Sequence, residues 1–201
     1  MNMADKSRIA KLLTELMLIP GLCGHEGRVR KYIKARLADM GMPTRTDMLG
    51  NLIVSIEGDP DTPSVMVFAH MDQLGFVVRK IEDDGFVRVE RVGGVPERAL
   101  ASQPVLFQIG EGRDRLGVIA NKSHHATVPD EKYRVVPYRD LYIDTGLDSA
   151  EAVRGAGIEV GTPVVYKPQA MELSADRIAG TAVDDRAGCA VLLEVADTLD
   201  Q

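Results

Sequence analysis

Apolar residues recur at helical spacing across residues 5–18, where Ile9, Leu12, Leu13, Leu16 and Met17 form one stripe and predict an amphipathic helix. Pro20-Gly21 ends it, because proline cannot continue the hydrogen-bond ladder. A second helix is expected from Glu26 to Met40, with Val29, Tyr32, Ile33 and Leu37 facing inward. Asp47–Asn51 reads as a turn and Asn51–Glu57 as a strand. After another turn at Gly58–Pro63, the run from Ser64 to Ala69 is apolar on both faces, which predicts a buried strand covered by helices on each side.

Beyond His70 the period shortens. From Leu74 to Tyr166 the pattern is of short strands separated by turn residues. Phe76–Glu82 and Phe86–Arg91 flank Asp83-Asp84-Gly85, a strong hairpin signal, and Val105–Ile109 and Leu116–Ala120 predict two further strands. One short helix is expected between an Asp148 cap and Gly155. Helical periodicity returns after the extended piece Arg177–Thr181, in a closing helix with Val191, Leu192, Val195 and Leu199 on one face. An α/β opening, a β-rich middle and an α/β return predict an α/β fold class in two parts. Residues 1–72 with 167–201 make an α/β domain, and residues 73–166 form a small β-rich domain inserted into it.

Composition narrows the function classes. With 45% hydrophobic and 27% charged residues, the 201-residue chain can build an ordinary globular core. A net charge of -6 argues against a nucleic-acid partner, since phosphate binding needs a basic face. No stretch approaches the roughly 20 apolar residues of a membrane span, and the interleaved charges of the first 27 residues do not read as a signal peptide. Two cysteines, Cys23 and Cys189, are too few for a disulfide scaffold; a cytoplasmic protein with reduced thiols is the expectation.

Few residues offer chemistry. His70 and Asp72 directly follow the expected buried strand, at the carboxyl end where open α/β sheets gather their sites. A His-x-Asp pair suits a metal ligand with its orienter, the carboxylate holding one ring nitrogen and presenting the other to the metal. The same spacing also fits a surface histidine beside a turn aspartate. Asp184 and Asp185 stand where an extended segment becomes a helix, so each could cap the helix or coordinate a cation, and one could do each. His124 and His125, adjacent in the β-rich part, would point to opposite faces of a strand and suit a loop or surface better than a shared metal. His25 could join Cys23 in a ligand set, but nothing downstream completes one. No Gly-x-Ser-x-Gly elbow, phosphate-binding Gly-x-x-x-x-Gly-Lys loop or His-Glu-x-x-His helix is present.

Taken in order, several stretches resemble the glutamyl and deblocking aminopeptidase family, which includes the tetrahedral aminopeptidases and some members labelled endoglucanases. They are Ile19-Pro-Gly21 with Gly24-x-Glu26, Asp47-x-x-Gly-Asn-Leu52, Ala69-His-Met-Asp-Gln-Leu-Gly75, and Gly85-Phe-x-Arg-Val89 with Val92-Gly-Gly-Val95. Gly117-Val-Ile119, Asp140-Leu-Tyr-Ile-Asp144, Gly161-Thr-Pro-Val164 and Gly180-Thr-Ala-Val-Asp-Asp-Arg-Ala-Gly188 follow. The resemblance spans nearly the whole chain.

It implies a zinc-peptidase-like α/β domain interrupted by a β-rich domain that builds dimers and larger cages. It further implies that His70 is a metal ligand, Asp72 the catalytic-site carboxylate that orients it, Asp184 the carboxylate bridging two divalent ions (zinc or cobalt), and Asp185 a supporting residue. The activity implied is removal of N-terminal residues from peptides by a metal-activated water. Family members also carry a Glu-Glu pair, serving as base and ligand, and then an Asp and a His ligand, none of which has a counterpart in these 201 residues. Glu194 lies mid-helix, about two and a half turns past Asp185, and cannot replace the pair. The 201 residues alone are therefore expected to hold a partial site and to be inactive. The competing reading is a non-catalytic assembly or regulatory module. A glycosidase would instead need two carboxylates about 5–10 Å apart across a sugar bond, for which Asp72 and Asp184 are the available pair.

Overall fold

A computed structural model describes residues 3–199. The chain is α/β and separates into two compact units, one running to Gln73 and resuming at Pro168, the other comprising Leu74–Lys167.

In the first unit, α1 (Met3–Met17) and α2 (Gly27–Asp39) pack their apolar stripes together with α4 (Val183–Leu199). Leu12, Leu16, Val29, Ile33 and Leu37 are buried beside Cys189, Ala190 and Leu193. The inward face of α4 is thus Cys189, Ala190 and Leu193, whereas Val191, Val195 and Leu199 of the sequence-derived stripe are exposed. Tyr32 on α2 donates its hydroxyl to Glu15 on α1, and burial together with that carboxylate pushes the phenol up to about 12. The hairpin of β1 (Thr44–Thr46) and β2 (Leu52–Val54) turns on Asp47, whose carboxylate accepts from the backbone N–H of Leu49 and Asn51 at 3.0 and 2.9 Å. Gly50 completes that turn at φ +88°, a conformation that costs glycine little.

The run Ser64–Ala69 departs from expectation. It forms no strand and pairs with none among the described residues, and Val65, Met66, Val67 and Phe68 are 65–86% exposed. Its apolar composition suits a sheet interior, yet a strand is made by neighbours, and the local sequence does not contain them. Only Ala69 and Met71 reach the core of this unit. A second hairpin, β9 (Ala170–Ser174) with β10 (Arg177–Gly180), leads back into α4.

The second unit is a closed antiparallel barrel with strand order β3-β4-β7-β6-β5-β8. Its strands are β3 (Gly75–Ile81), β4 (Val87–Val92), β5 (Pro104–Phe107), β6 (Arg115–Ala120), β7 (Tyr142–Asp144) and β8 (Pro163–Tyr166). Alternation sends Phe76, Val78, Val87, Val89, Val105, Phe107 and Ile119 inward. A register shift between Val78 and Lys80 leaves Arg79 and Lys80 both outward and returns Ile81 to the core, as a bulge does. Gly117 lines the interior because a Cβ there would lie 2.6 Å from Ile143 Cγ2 and 3.0 Å from Phe107 Cε2. The short helix α3 (Ala150–Gly155) is capped by Ser149, not Asp148: Ser149 takes the extended conformation and its Oγ accepts from Ala152 N–H at 3.2 Å.

Two measurements check this packing. Phe107→Ala is expected to cost about 3–5 kcal/mol in denaturant unfolding, while Leu116→Ala, half exposed on the barrel surface, stays within about 0.5 kcal/mol. For Tyr32 the folded-state pKa of about 12 lies above the ordinary value of 10.0, so its contribution to stability is complete below pH 10 and is lost as pH rises towards 12. Tyr32→Phe should remove that alkaline loss and the late-titrating tyrosinate from the ultraviolet titration.

Candidate metal site

The sequence Val183-Asp-Asp-Arg-Ala-Gly188 divides its labour residue by residue. Asp184 (φ -87°, ψ 111°) and Asp185 (φ -121°, ψ 43°) are not helical, so the regular turns of α4 begin at Arg186. Asp185 is the cap: its Oδ1 accepts from the Gly188 N–H at 2.9 Å, satisfying a donor that the first turn leaves free. Gly188 is required by this cap, since a Cβ would fall 2.5 Å from both Asp185 oxygens. Arg186 turns inward, fully buried, and its Nη1 donates to the Leu16 carbonyl at the end of α1 at 3.2 Å. Burial draws that guanidinium down to about 10, against the opposing pull of Asp72 and Glu26, so it stays charged at neutral pH. Its Nε and Nη2 have no hydrogen-bond partner among the described residues.

Asp184 is left free to face outward, its side chain 93% exposed, and its Oδ1 lies 3.0 Å from His70 Nε2. The other ring nitrogen, Nδ1, lies 3.0 Å from Asp72 Oδ1. Burial works against a charge on His70, but the carboxylates of Asp72, Asp184 and Asp185 outweigh it and hold its pKa above the ordinary value. The main chain is fixed at the histidine and just beyond it. At the residue itself, the buried Cys189 thiol donates to the His70 carbonyl at 3.4 Å. After it, Leu22 and Gln73 form a parallel bridge, with the Gln73 N–H on the Gly21 carbonyl at 2.9 Å. Asp72 also accepts a hydrogen bond from Cys23, whose thiol burial and the Asp72 charge push up.

His70, Asp72, Asp184 and Asp185 are thus brought together although 114 residues separate the histidine from Asp184. The capping reading holds for Asp185, and Asp184, which makes no cap, faces the imidazole instead. An imidazole nitrogen beside a carboxylate, with the opposite nitrogen held by a second carboxylate, is a donor set that fits a divalent cation in kind. It supplies two ligands, and no group of three or more His, Cys, Asp or Glu side chains placed to hold a metal ion occurs among the described residues. His124 and His125 lie elsewhere, exposed in a 3-10 turn with their rings 5.9 Å apart, and His25 is exposed ahead of α2. Sequence reading missed Arg186 and Cys189. The spacing of Cys189, four residues after the Asp185 cap and so on the same helical face, was the available signal.

Comparison with known proteins gives this arrangement a context. The lysyl aminopeptidase of Pyrococcus furiosus is 30% identical over 95% of this chain and 55% of its own. Aminopeptidase APDkam598 from the archaeon Desulfurococcus kamchatkensis superposes with a TM-score of 0.88 at 33% identity, covering 96% of this chain and 52% of that one. The TET1 peptidase of Pyrococcus horikoshii, which can assemble into a tetrahedron or a large octahedral shell, matches at 29% identity with a TM-score of 0.84, over 94% and 56% of the two chains. The chain spans about half the length of the curated relatives it matches. The model of the M42 glutamyl aminopeptidases matches residues 50–201. With the Asp72–His70–Asp184 geometry inside the matched stretch, the chain belongs to the M42 glutamyl aminopeptidase family.

Proposed function

We propose that this chain carries one half of the catalytic centre of a dinuclear metallo-aminopeptidase that releases N-terminal residues from peptides. The observation that carries the reading is a single imidazole held between two carboxylates, Asp72 on Nδ1 and Asp184 on Nε2. Asp72 keeps the proton on Nδ1, so the Nε2 lone pair is directed at the place where Asp184 converges. His70 and Asp184 would hold the metal, Asp184 as the bridge between two zinc or cobalt ions, and Asp185 supports them by fixing the turn from which Asp184 projects. The chemistry such ions supply is Lewis acidity towards a peptide carbonyl and towards water. The exposure of Asp184 leaves its carboxylate accessible to a peptide amino terminus.

The family's general base and remaining ligands have no counterpart in residues 1–201, so this stretch alone is proposed to bind metal weakly and to be catalytically silent. A cytoplasmic setting accords with the two free cysteines, and no helix among the described residues is long and apolar enough to cross a membrane. Peptides are the substrates and nucleic acid is not a partner; homo-oligomer formation is supported by the assemblies of the TET1 relative, and the inserted β-rich domain, residues 73–166, is the part proposed to build it. A glycosidase gains no support, because Asp72 and Asp184 are both engaged by opposite nitrogens of one ring.

A second reading, an assembly or regulatory module, is favoured by one observation: the barrel has its own closed core and presents Leu116 and Val118 outward on β6. A metal-independent, monodisperse oligomer in light scattering, lost on Leu116→Asp, would select it.

Cobalt titration of the whole chain tests the metal reading. His70→Ala and Asp184→Ala should each weaken Co2+ binding, and retention of wild-type affinity in both would sink the assignment. Gly188→Ala drives a methyl group against the Asp185 carboxylate; a loss of about 1 kcal/mol in stability together with weaker Co2+ binding is expected. Unchanged metal affinity in that variant would remove Asp185 from its supporting role.

A further inference from the structure

We propose that the first turn of α4 is the positioning frame of the metal pair, with Cys189 the positioning residue for His70 and Arg186 the one for Asp184. The inference rests on the metal reading above and adds to it the means by which two side chains so distant in sequence keep a 3.0 Å relation.

The segment leading to His70 forms no strand ladder among the described residues, so its approach to Asp184 is not fixed by a sheet. Two other contacts hold it. The Cys189 thiol, 5% exposed, donates to the His70 carbonyl, and the Gln73 N–H closes on the Gly21 carbonyl. Gly21 is also where the Arg186 guanidinium rests. A Cβ on that glycine would stand 2.8 Å from Nη2 and 2.9 Å from Val29 Cγ2, so the side chain fills space that only glycine leaves. From Nη1 the same guanidinium grips the Leu16 carbonyl, at the negative end of the α1 dipole.

The contacts therefore close a ring. It runs from α4 through Arg186 to Gly21, across to Gln73, back through Asp72 to His70, and through Cys189 to α4 again. Asp184 projects from the one point where the ring begins, two residues before Arg186. A closed ring of short contacts restricts relative displacement in a way that chain connectivity over 114 residues does not. Cutting it at either α4 residue should loosen the ligand pair while leaving both ligands in the chain.

Cobalt(II) binding to the whole chain, read from the visible spectrum, is the test, with circular dichroism to establish folding. Cys189→Ala should weaken Co2+ about tenfold or more and alter the spectrum, whereas Cys189→Ser, which keeps a donor, should bind as the wild type does. Arg186→Met should weaken Co2+ to a similar degree. Folded Cys189→Ala and Arg186→Met with wild-type affinity would overturn the proposal, as would equal losses in the Ala and Ser variants, which indicate packing alone. Where neither α4 variant folds, the S–H stretch of Cys189 in a Cys23→Ser background decides. A shift to lower frequency supports the thiol tether, and a free-thiol frequency overturns it. Wild-type binding no better than His70→Ala removes the metal reading and this proposal together; intact His70 dependence with no effect at Cys189 or Arg186 removes the proposal alone.

Discussion

A guanidinium buried to the last atom governs the first unit. Taking a charge out of water is costly, and the structure accepts that cost at Arg186 with one hydrogen bond to a helix-terminal carbonyl and the space left by a glycine. Because the residue stands at the start of α4, its burial fixes where that helix begins and how it is rotated. From this follow the inward face of Cys189, Ala190 and Leu193, the cap formed by Asp185, and the outward projection of Asp184. A helix turned by one residue would bury an aspartate and expose the arginine.

The two units solve the problem of strand edges differently. The barrel of residues 74–167 closes on itself, so each strand finds a neighbour on both sides and its core is complete. In the first unit the run Val65–Phe68 keeps its apolar side chains exposed and its backbone unpaired among the described residues. An edge of this kind is the part of a protein most ready to accept a strand. It stands directly before His70, so whatever occupies it also acts on that residue's main chain.

The proposed ligand and its scaffold meet in a short stretch. Asp184, Asp185, Arg186, Gly188 and Cys189 respectively face the imidazole, cap the helix, anchor it, clear the cap and hold the histidine's carbonyl. Capping and the proposed coordination are compatible because they fall on neighbouring residues with different backbone conformations. A capping carboxylate is committed to backbone donors, and only its neighbour is free for a ligand.

The sequence by itself determined what is local: the helical stripes of α1 and α2, the hairpin around Asp83-Asp84-Gly85, the β-rich character of the middle, and the collinear motifs that carry the likeness to the M42 glutamyl aminopeptidases. Each depends on periodicity or on short spacing, which residues carry with them. Tertiary structure alone decided what depends on distant partners. Ser64–Ala69 reads as an interior strand because it is apolar, but pairing is a relation between segments, and no described segment supplies it. The buried face of α4 was misjudged for a similar reason: hydrophobicity marked Val191 and Val195, whereas the anchoring of Arg186 turned Cys189 and Leu193 inward. The convergence of His70 with Asp184 across 114 residues, and the roles of Arg186 and Cys189 in holding it, exist only once the chain is folded, because a contact between remote residues has no local signature.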